Sequence, residues 1–167
     1  MYKRFIILLC FVFSILISCD EKKLSKNNEI AYNDFSCDID PSKLTAKEYD
    51  VLINKGTEFP FTGELLNIKD DGLYTCKLCG NPLFKSDAKF NSGTGWPSFD
   101  DAIVENIKFV KDGSRVEVLC ARCGGHLGHV FYNEGFTDKQ TRYCINSVSL
   151  NFINKIELDK TNSNTNK

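Results

Sequence analysis

The chain has 167 residues, with 21 lysines and arginines against 22 aspartates and glutamates, a formal charge of −1. That length holds one ordinary domain, and near-neutrality lacks the basic footprint of a nucleic-acid binder, so no nucleic-acid partner is expected. At 42% hydrophobic and 26% charged it has the make-up of a globular protein. Eight cysteines beside one Met and one Trp are too many for core filler.

The N-terminus reads as an address. Lys3 and Arg4 form a short positive stretch, and Phe5 to Ser18 is apolar apart from Ser14 and Ser18. That run is too short for a transmembrane helix of about 20 residues, but it has the length of a signal-peptide core. It ends Leu16-Ile17-Ser18-Cys19, which resembles a bacterial lipobox. Residues 1–18 are therefore expected to be a lipoprotein signal peptide and Cys19 the lipid-bearing residue. The domain would be held at a membrane of the bacterial cell envelope, outside the cytoplasm. An ordinary cleaved signal or a short membrane anchor, with an incidental cysteine, is the alternative. Residues 19–40 are rich in charge and poor in large apolar side chains, so they are expected to be a flexible tether carrying Cys37. The folded domain is expected over 41–156, and the polar run 157–167 as a disordered tail. A monomer is expected.

The domain opens with Thr45 and, three residues on, Glu48, a capping-box spacing. Leu44 and Tyr49 stand at the two staple positions, and Tyr49, Leu52 and Ile53 recur on one helical face. A helix over 46–54 with Gly56 as its C-cap follows. Beyond it, glycines divide the chain into short pieces that read as strands: Leu73–Cys76, Phe109–Val110, Arg115–Cys120, Val130–Tyr132 and Tyr143–Ile153. Val116, Val118 and Cys120 alternate on one face, as do Val148, Leu150 and Phe152. Asp112-Gly113 suits a hairpin turn. The fold expected is mainly β and antiparallel, with a short N-terminal helix.

Cys76-Lys-Leu-Cys79-Gly80 and Cys120-Ala-Arg-Cys123-Gly124 share the form C-x-x-C-G. Two residues between thiolates let both bind one tetrahedral metal from a tight turn, and the following glycine accepts a positive φ. Together the knuckles supply four sulfurs, enough for a structural Zn²⁺ stapling distant strands. Two disulfides are the competing assignment, because export favours oxidation.

The chain's two histidines stand close together at His126 and His129, and Cys144 follows downstream. A cysteine attacks only as thiolate, which needs a nearby cation or donor. His126, His129 and Arg142 would serve if folding gathers them, and a histidine moves protons near neutral pH.

Several segments in order make the chain resemble the methionine-R-sulfoxide reductases. They are Gly56-Thr57-Glu58, Pro60-Phe61-Thr62-Gly63-Glu64, the Cys76/Cys79 pair and Gly93-Thr94-Gly95-Trp96-Pro97-Ser98-Phe99. Cys120 to Phe131 and Arg142-Tyr143-Cys144-Ile145-Asn146-Ser147 complete them. The resemblance spans about 43–152 and implies a small β-barrel-like arrangement of two antiparallel sheets. It implies Cys144 as nucleophile, His126 and His129 as binders and proton donors to the sulfoxide oxygen, and Trp96 as a wall for the substrate methyl. It implies that Asn146 and Arg142 shape the pocket and that Cys76, Cys79, Cys120 and Cys123 hold zinc. Partners would be oxidised proteins or peptides carrying methionine-R-sulfoxide and a thioredoxin-like reductant. Thr94 departs from the pattern: many members have there a cysteine that resolves the sulfenic acid. Cys37 is one candidate replacement, an external thiol or thioredoxin-like protein a second, and a knuckle cysteine, if no zinc is bound, a third. A non-catalytic, zinc-stapled binding domain on a lipid anchor is the competing function.

Overall fold

The computed structural model describes residues 39–164. Cys19, Cys37, the expected signal peptide (1–18) and residues 19–38 of the tether expected over 19–40 lie outside the described residues. Among those described, no helix is long and apolar enough to cross a membrane.

A short 3-10 turn at Pro41–Lys43 leads into α1, Ala46–Leu52. Its start is the reciprocal box expected. Thr45 Oγ1 accepts the Glu48 amide at 3.3 Å, and Glu48 Oε2 accepts the Thr45 amide at 2.8 Å. The end differs. Lys55 takes the left-handed turn at φ 62, and Gly56 leaves room for the Asp50 carboxylate, which lies where a Cβ would stand. The buried face is Val51 and Leu52, with Tyr49 and Ile53 partly exposed. α1 is too short to bury a wider stripe.

Nine strands follow in two antiparallel sheets. β1 (Gly72–Cys76), β2 (Pro82–Lys85) and β9 (Leu150–Asn154) form one in the order β2-β1-β9. The other contains β3 (Lys89–Phe90), β4 (Ser98–Phe99), β5 (Ile107–Asp112), β6 (Arg115–Cys120), β7 (His126–Tyr132) and β8 (Thr141–Ile145). Its order is β3-β4-β8-β7-β6-β5. Both sheets stay open, so the barrel-like expectation resolves into two packed sheets. The core between them centres on Tyr74, Phe84 and Phe99, with Phe84 and Phe99 stacked at 4.4 Å and Tyr74 edge-on to Phe99 at 4.9 Å. Val118, Val130, Tyr143 and Ile145 join it from the larger sheet.

Three further differences matter. Residues 143–153 are not one strand: the chain leaves the larger sheet at Ile145, turns through Ser147–Ser149, and enters the smaller sheet as β9. The reason is tertiary. The buried Glu58 carboxylate captures the Ser147 amide, and Asn146 is tied to Leu127 and Glu58, which bends the backbone there. The hairpin between β5 and β6 turns at Gly113-Ser114, inside the closing pair Asp112 and Arg115, with Gly113 at φ 57. Finally, Lys155–Asn164 is helix α2 rather than a disordered tail from 157. Asn154 Oδ1 caps it by accepting the Ile156 amide at 3.0 Å, and Glu157 stands in the first turn. A polar run with a good cap can be helical without burying an apolar stripe.

Candidate active site

β8 is central, flanked by β4 and β7. Its residues alternate between faces. Tyr143 and Ile145 enter the core, leaving Arg142 and Cys144 on the opposite face. Across the ladders Cys144 is paired with His129 on β7 and Ser98 on β4, and His129 is in turn paired with Glu117 on β6. Cross-strand partners share a face, so Glu117, His129, Cys144, Arg142 and Ser98 line one surface.

His126 lies three residues before His129, an odd spacing that would place it on the other face of a regular strand. A bulge corrects this. Val118 pairs with Gly128 but Leu119 pairs with His126, so Leu127 is an extra residue. Leu127 drops into the core, and both histidine rings end on the same face, 5.5 Å apart and edge to face.

The two histidines are held differently. His129 Nε2 lies 2.8 Å from Asp112 Oδ2, and Arg115 binds the same oxygen at 2.7 Å. His126 is almost wholly buried. Its Nδ1 lies 2.7 Å from Glu117 Oε1, and Lys55 Nζ donates to Glu117 Oε2 at 2.9 Å. His126 Nε2 is buried with no hydrogen-bond partner. Burial depresses the His126 pKa against the opposing pull of Glu117, which favours the neutral ring, and Nδ1, facing a carboxylate that only accepts, is the nitrogen placed to carry the proton.

Cys144 is half-buried, and burial pushes its thiol up. The neighbouring Arg142 charge and the polar groups of Arg142 and Thr94 pull it back. Arg142 is itself fixed: Nε and Nη2 make a bidentate pair with Glu134 at 2.7 and 3.1 Å, and the guanidinium lies over Phe131 at 4.6 Å. Thr94 continues into a hydroxyl chain through Ser92 to Ser98, each link 2.8 Å.

Trp96 and Asn146 converge on Glu58. Trp96 Nε1 donates to the Glu58 carbonyl at 3.1 Å, and the Glu58 amide donates to Asn146 Oδ1 at 3.1 Å. Burial raises the Glu58 carboxyl pKa, against the bond from the Ser147 amide. Glu117 and Glu58, the latter present in a segment of the family resemblance, gain roles here that their sequence positions do not assign. Glu117 sits on the polar side of an alternating strand, which reads as solvent-facing, and Glu58 lies in a loop. Asp112 was noticed only as a turn residue, and Glu134 not at all.

The SelR domain family matches residues 44–154. The chain belongs to the SelR domain family. Relatives are about half identical to it over the aligned residues. A Methanosarcina barkeri protein named peptide methionine sulfoxide reductase MsrB is 55% identical over 114 residues, covering 65% of this chain and 80% of the relative. One of the same name from Methanosarcina mazei is 52% identical over 124 residues, covering 71% and 88%. The Mus musculus methionine-R-sulfoxide reductase B3, mitochondrial, is 51% identical over 115 residues, covering 66% and 45%.

In this SelR domain the two cysteine knuckles meet. The first sits in the turn between β1 and β2, the second between β6 and β7, so they join the two sheets. The Gly80 and Gly124 amides close them onto the Cys76 and Cys120 carbonyls at 2.8 and 2.9 Å. Both glycines take positive φ, 69° and 75°, as the C-x-x-C-G pattern predicts. The four sulfurs lie within 4.8 Å of one another, with Cys76–Cys123 and Cys79–Cys120 both at 3.6 Å. A tetrahedron of 2.3 Å zinc–sulfur bonds has sulfurs about 3.8 Å apart, whereas a disulfide needs about 2.05 Å. All four thiols are free, so the donor set fits a metal and not the disulfide alternative. Asn81 Nδ2 adds a donor to Cys120 Sγ at 3.6 Å.

Proposed function

We propose that this protein reduces methionine-R-sulfoxide in peptides and proteins to methionine, with Cys144 as the attacking thiol. The observation that carries the reading is the gathering of Cys144, Arg142, His126 and His129 on one face of the larger sheet, within a SelR domain about half identical to named reductases. A non-catalytic binding domain would have no use for a half-buried cysteine flanked by a fixed guanidinium and a neutral histidine with a free nitrogen.

The chemistry balances as a two-electron transfer. The Cys144 sulfur, supported as thiolate by Arg142 and Thr94, attacks the sulfoxide sulfur. His126 Nε2 takes up the thiol proton and returns it to the sulfoxide oxygen, while His129 helps hold that oxygen. Methionine departs reduced and Cys144 is left as sulfenic acid. A second thiol condenses with the sulfenic acid, forming a disulfide and releasing water, and an external dithiol then restores Cys144. Trp96 offers an apolar wall for the methyl group. Asn146, bonded to Glu58 and Leu127, orders the end of β8 beside it. Together these fix three different substituents around sulfur and thereby select one epimer.

Zinc bound by Cys76, Cys79, Cys120 and Cys123 would be structural, since all four sulfurs are committed and none is left for substrate. Cys19 is proposed as a lipid anchor holding the domain at the cell envelope. Cys37 is a candidate resolving thiol, and a thioredoxin-type protein the final reductant.

The test is reduction of a racemic methionine sulfoxide peptide with dithiothreitol by metal-loaded protein. One epimer should disappear, and Cys144→Ser should abolish turnover while leaving the fold intact. Persistence of both epimers overturns the reading. In cells fed labelled palmitate, Cys19→Ala should remove the label. In a single turnover without added thiol, Cys37→Ser should leave Cys144 without an intramolecular disulfide. A disulfide that still forms assigns resolution elsewhere.

A further inference from the structure

We propose that Glu117 is a positioning residue of the reaction, holding the His126 ring by Nδ1 so that its free Nε2 faces the reacting sulfur and oxygen, with Lys55 setting the strength of that hold. The inference rests on the reading of His126 as the proton carrier. The observations are geometric. Glu117 has almost no exposed surface although it lies on the polar face of β6. Its two carboxylate oxygens are divided between two partners, His126 Nδ1 at 2.7 Å and Lys55 Nζ at 2.9 Å. Burying a carboxylate is costly unless both oxygens are satisfied, and here both are. A proton on Nδ1 leaves Nε2 with its lone pair outward, and Nε2 is the one ring nitrogen of His126 without a partner.

The consequence concerns charge during the reaction. When Nε2 takes the Cys144 proton, the ring becomes an imidazolium. Glu117 then bonds a cation rather than a neutral donor, and that bond strengthens. No atom moves except the proton, so the stabilisation is available at once. Lys55 opposes it by drawing negative charge from the same carboxylate. The groups that face His126 are Glu117 from β6, His129 from its own strand, and Lys55 from the loop after α1. Ser149 contributes a neutral contact, its hydroxyl donating to the His126 carbonyl at 3.0 Å.

Opposite substitutions should therefore shift the pH profile in opposite directions. Glu117→Gln keeps the shape but removes the charge. It should lower kcat by about 10- to 100-fold with KM little changed, and move the acid limb of kcat/KM to lower pH. Lys55→Met leaves Glu117 unshared and should move the same limb to higher pH. Loss of packing alone would not produce opposite shifts. Glu117→Asp, which keeps a carboxylate, should recover part of the activity lost in Glu117→Gln. If Glu117→Gln fails to fold, nitrogen-15 NMR of the histidines in the unmodified protein gives an independent answer: His126 should carry its proton on Nδ1. A proton on Nε2, or coincident limbs in Lys55→Met and the unmodified protein, overturns the proposal. Full activity in His126→Gln would instead overturn the role given to His126 itself, so the two failures are distinguishable.

Discussion

His129 and Cys144 stand directly opposite one another across the antiparallel pair β7–β8. Beside that pair the backbone of Gly128 faces the Cys144 carbonyl so directly that a Cβ there would collide with it. Gly128 thus sets the separation on which the cysteine–histidine arrangement depends. Gly128→Ala must push β7 and β8 apart. It should reduce kcat by at least about tenfold and destabilise the domain by about 1–3 kcal/mol, measured by peptide-sulfoxide turnover and urea unfolding.

Arg142 acts on Cys144 through charge that is already fixed in place. Burial raises the thiol and the guanidinium opposes it. Arg142→Met removes the opposing charge, so the thiol rises further and less thiolate is present at neutral pH. The pH profile of Cys144 alkylation by iodoacetamide should shift to higher pH, and the rate at pH 7 should fall about tenfold. An unshifted profile would show that Arg142 serves packing on Phe131 alone.

Thr94 lies beside Cys144, near enough for its hydroxyl to pull the thiol pKa down. A thiol there would be near enough to condense with the sulfenic acid. Thr94→Cys, exposed to one equivalent of sulfoxide peptide without reductant, should form an intramolecular disulfide to Cys144. Intact-mass and thiol counting should show two thiols lost per methionine formed, and the variant should use a thioredoxin-type reductant more readily than dithiothreitol.

The cysteine knuckles join the two sheets, so a metal held by their four sulfurs would tie the sheets together and its removal should loosen their packing. Prolonged chelation, or Cys79→Ser, should lower Tm by about 10 °C or more, read by calorimetry. Activity should fall together with the folded fraction, because Cys144 is not among the clustered sulfurs. Loss of activity with Tm unchanged would place the metal in the chemistry.

A further pH effect follows from His126. Its folded pKa is depressed by burial, so the unfolded chain binds a proton more readily below the ordinary histidine value. The stability contributed by this group is complete above about pH 6.5 and declines as pH falls below it. His126→Gln should flatten that part of the stability profile in urea titrations from pH 7 to 5.

Local chemistry could be read before any fold was known. The capping box at Thr45 and Glu48 needs only residues three apart, the C-x-x-C-G knuckles need only a tight turn and a glycine, and the β character of Arg115–Cys120 needs only alternation. Each is an interaction within a few residues, so spacing along the chain is spacing in space. The order of motifs was sufficient to indicate the family. The arrangement that does chemistry was not legible in that way. His126 shares a face with His129 only because a bulge inserts Leu127 between them. The expected long strand after Tyr143 breaks because Glu58, 89 positions from Ser147, captures a backbone amide. Glu117, which looks like an ordinary solvent-facing carboxylate in an alternating strand, is buried because β7 lays His126 against it and the loop after α1 brings Lys55 over it. These relations depend on strand register and on contacts between distant segments. Burial then gives the charged groups their altered chemistry, and burial exists only once the sheets have packed.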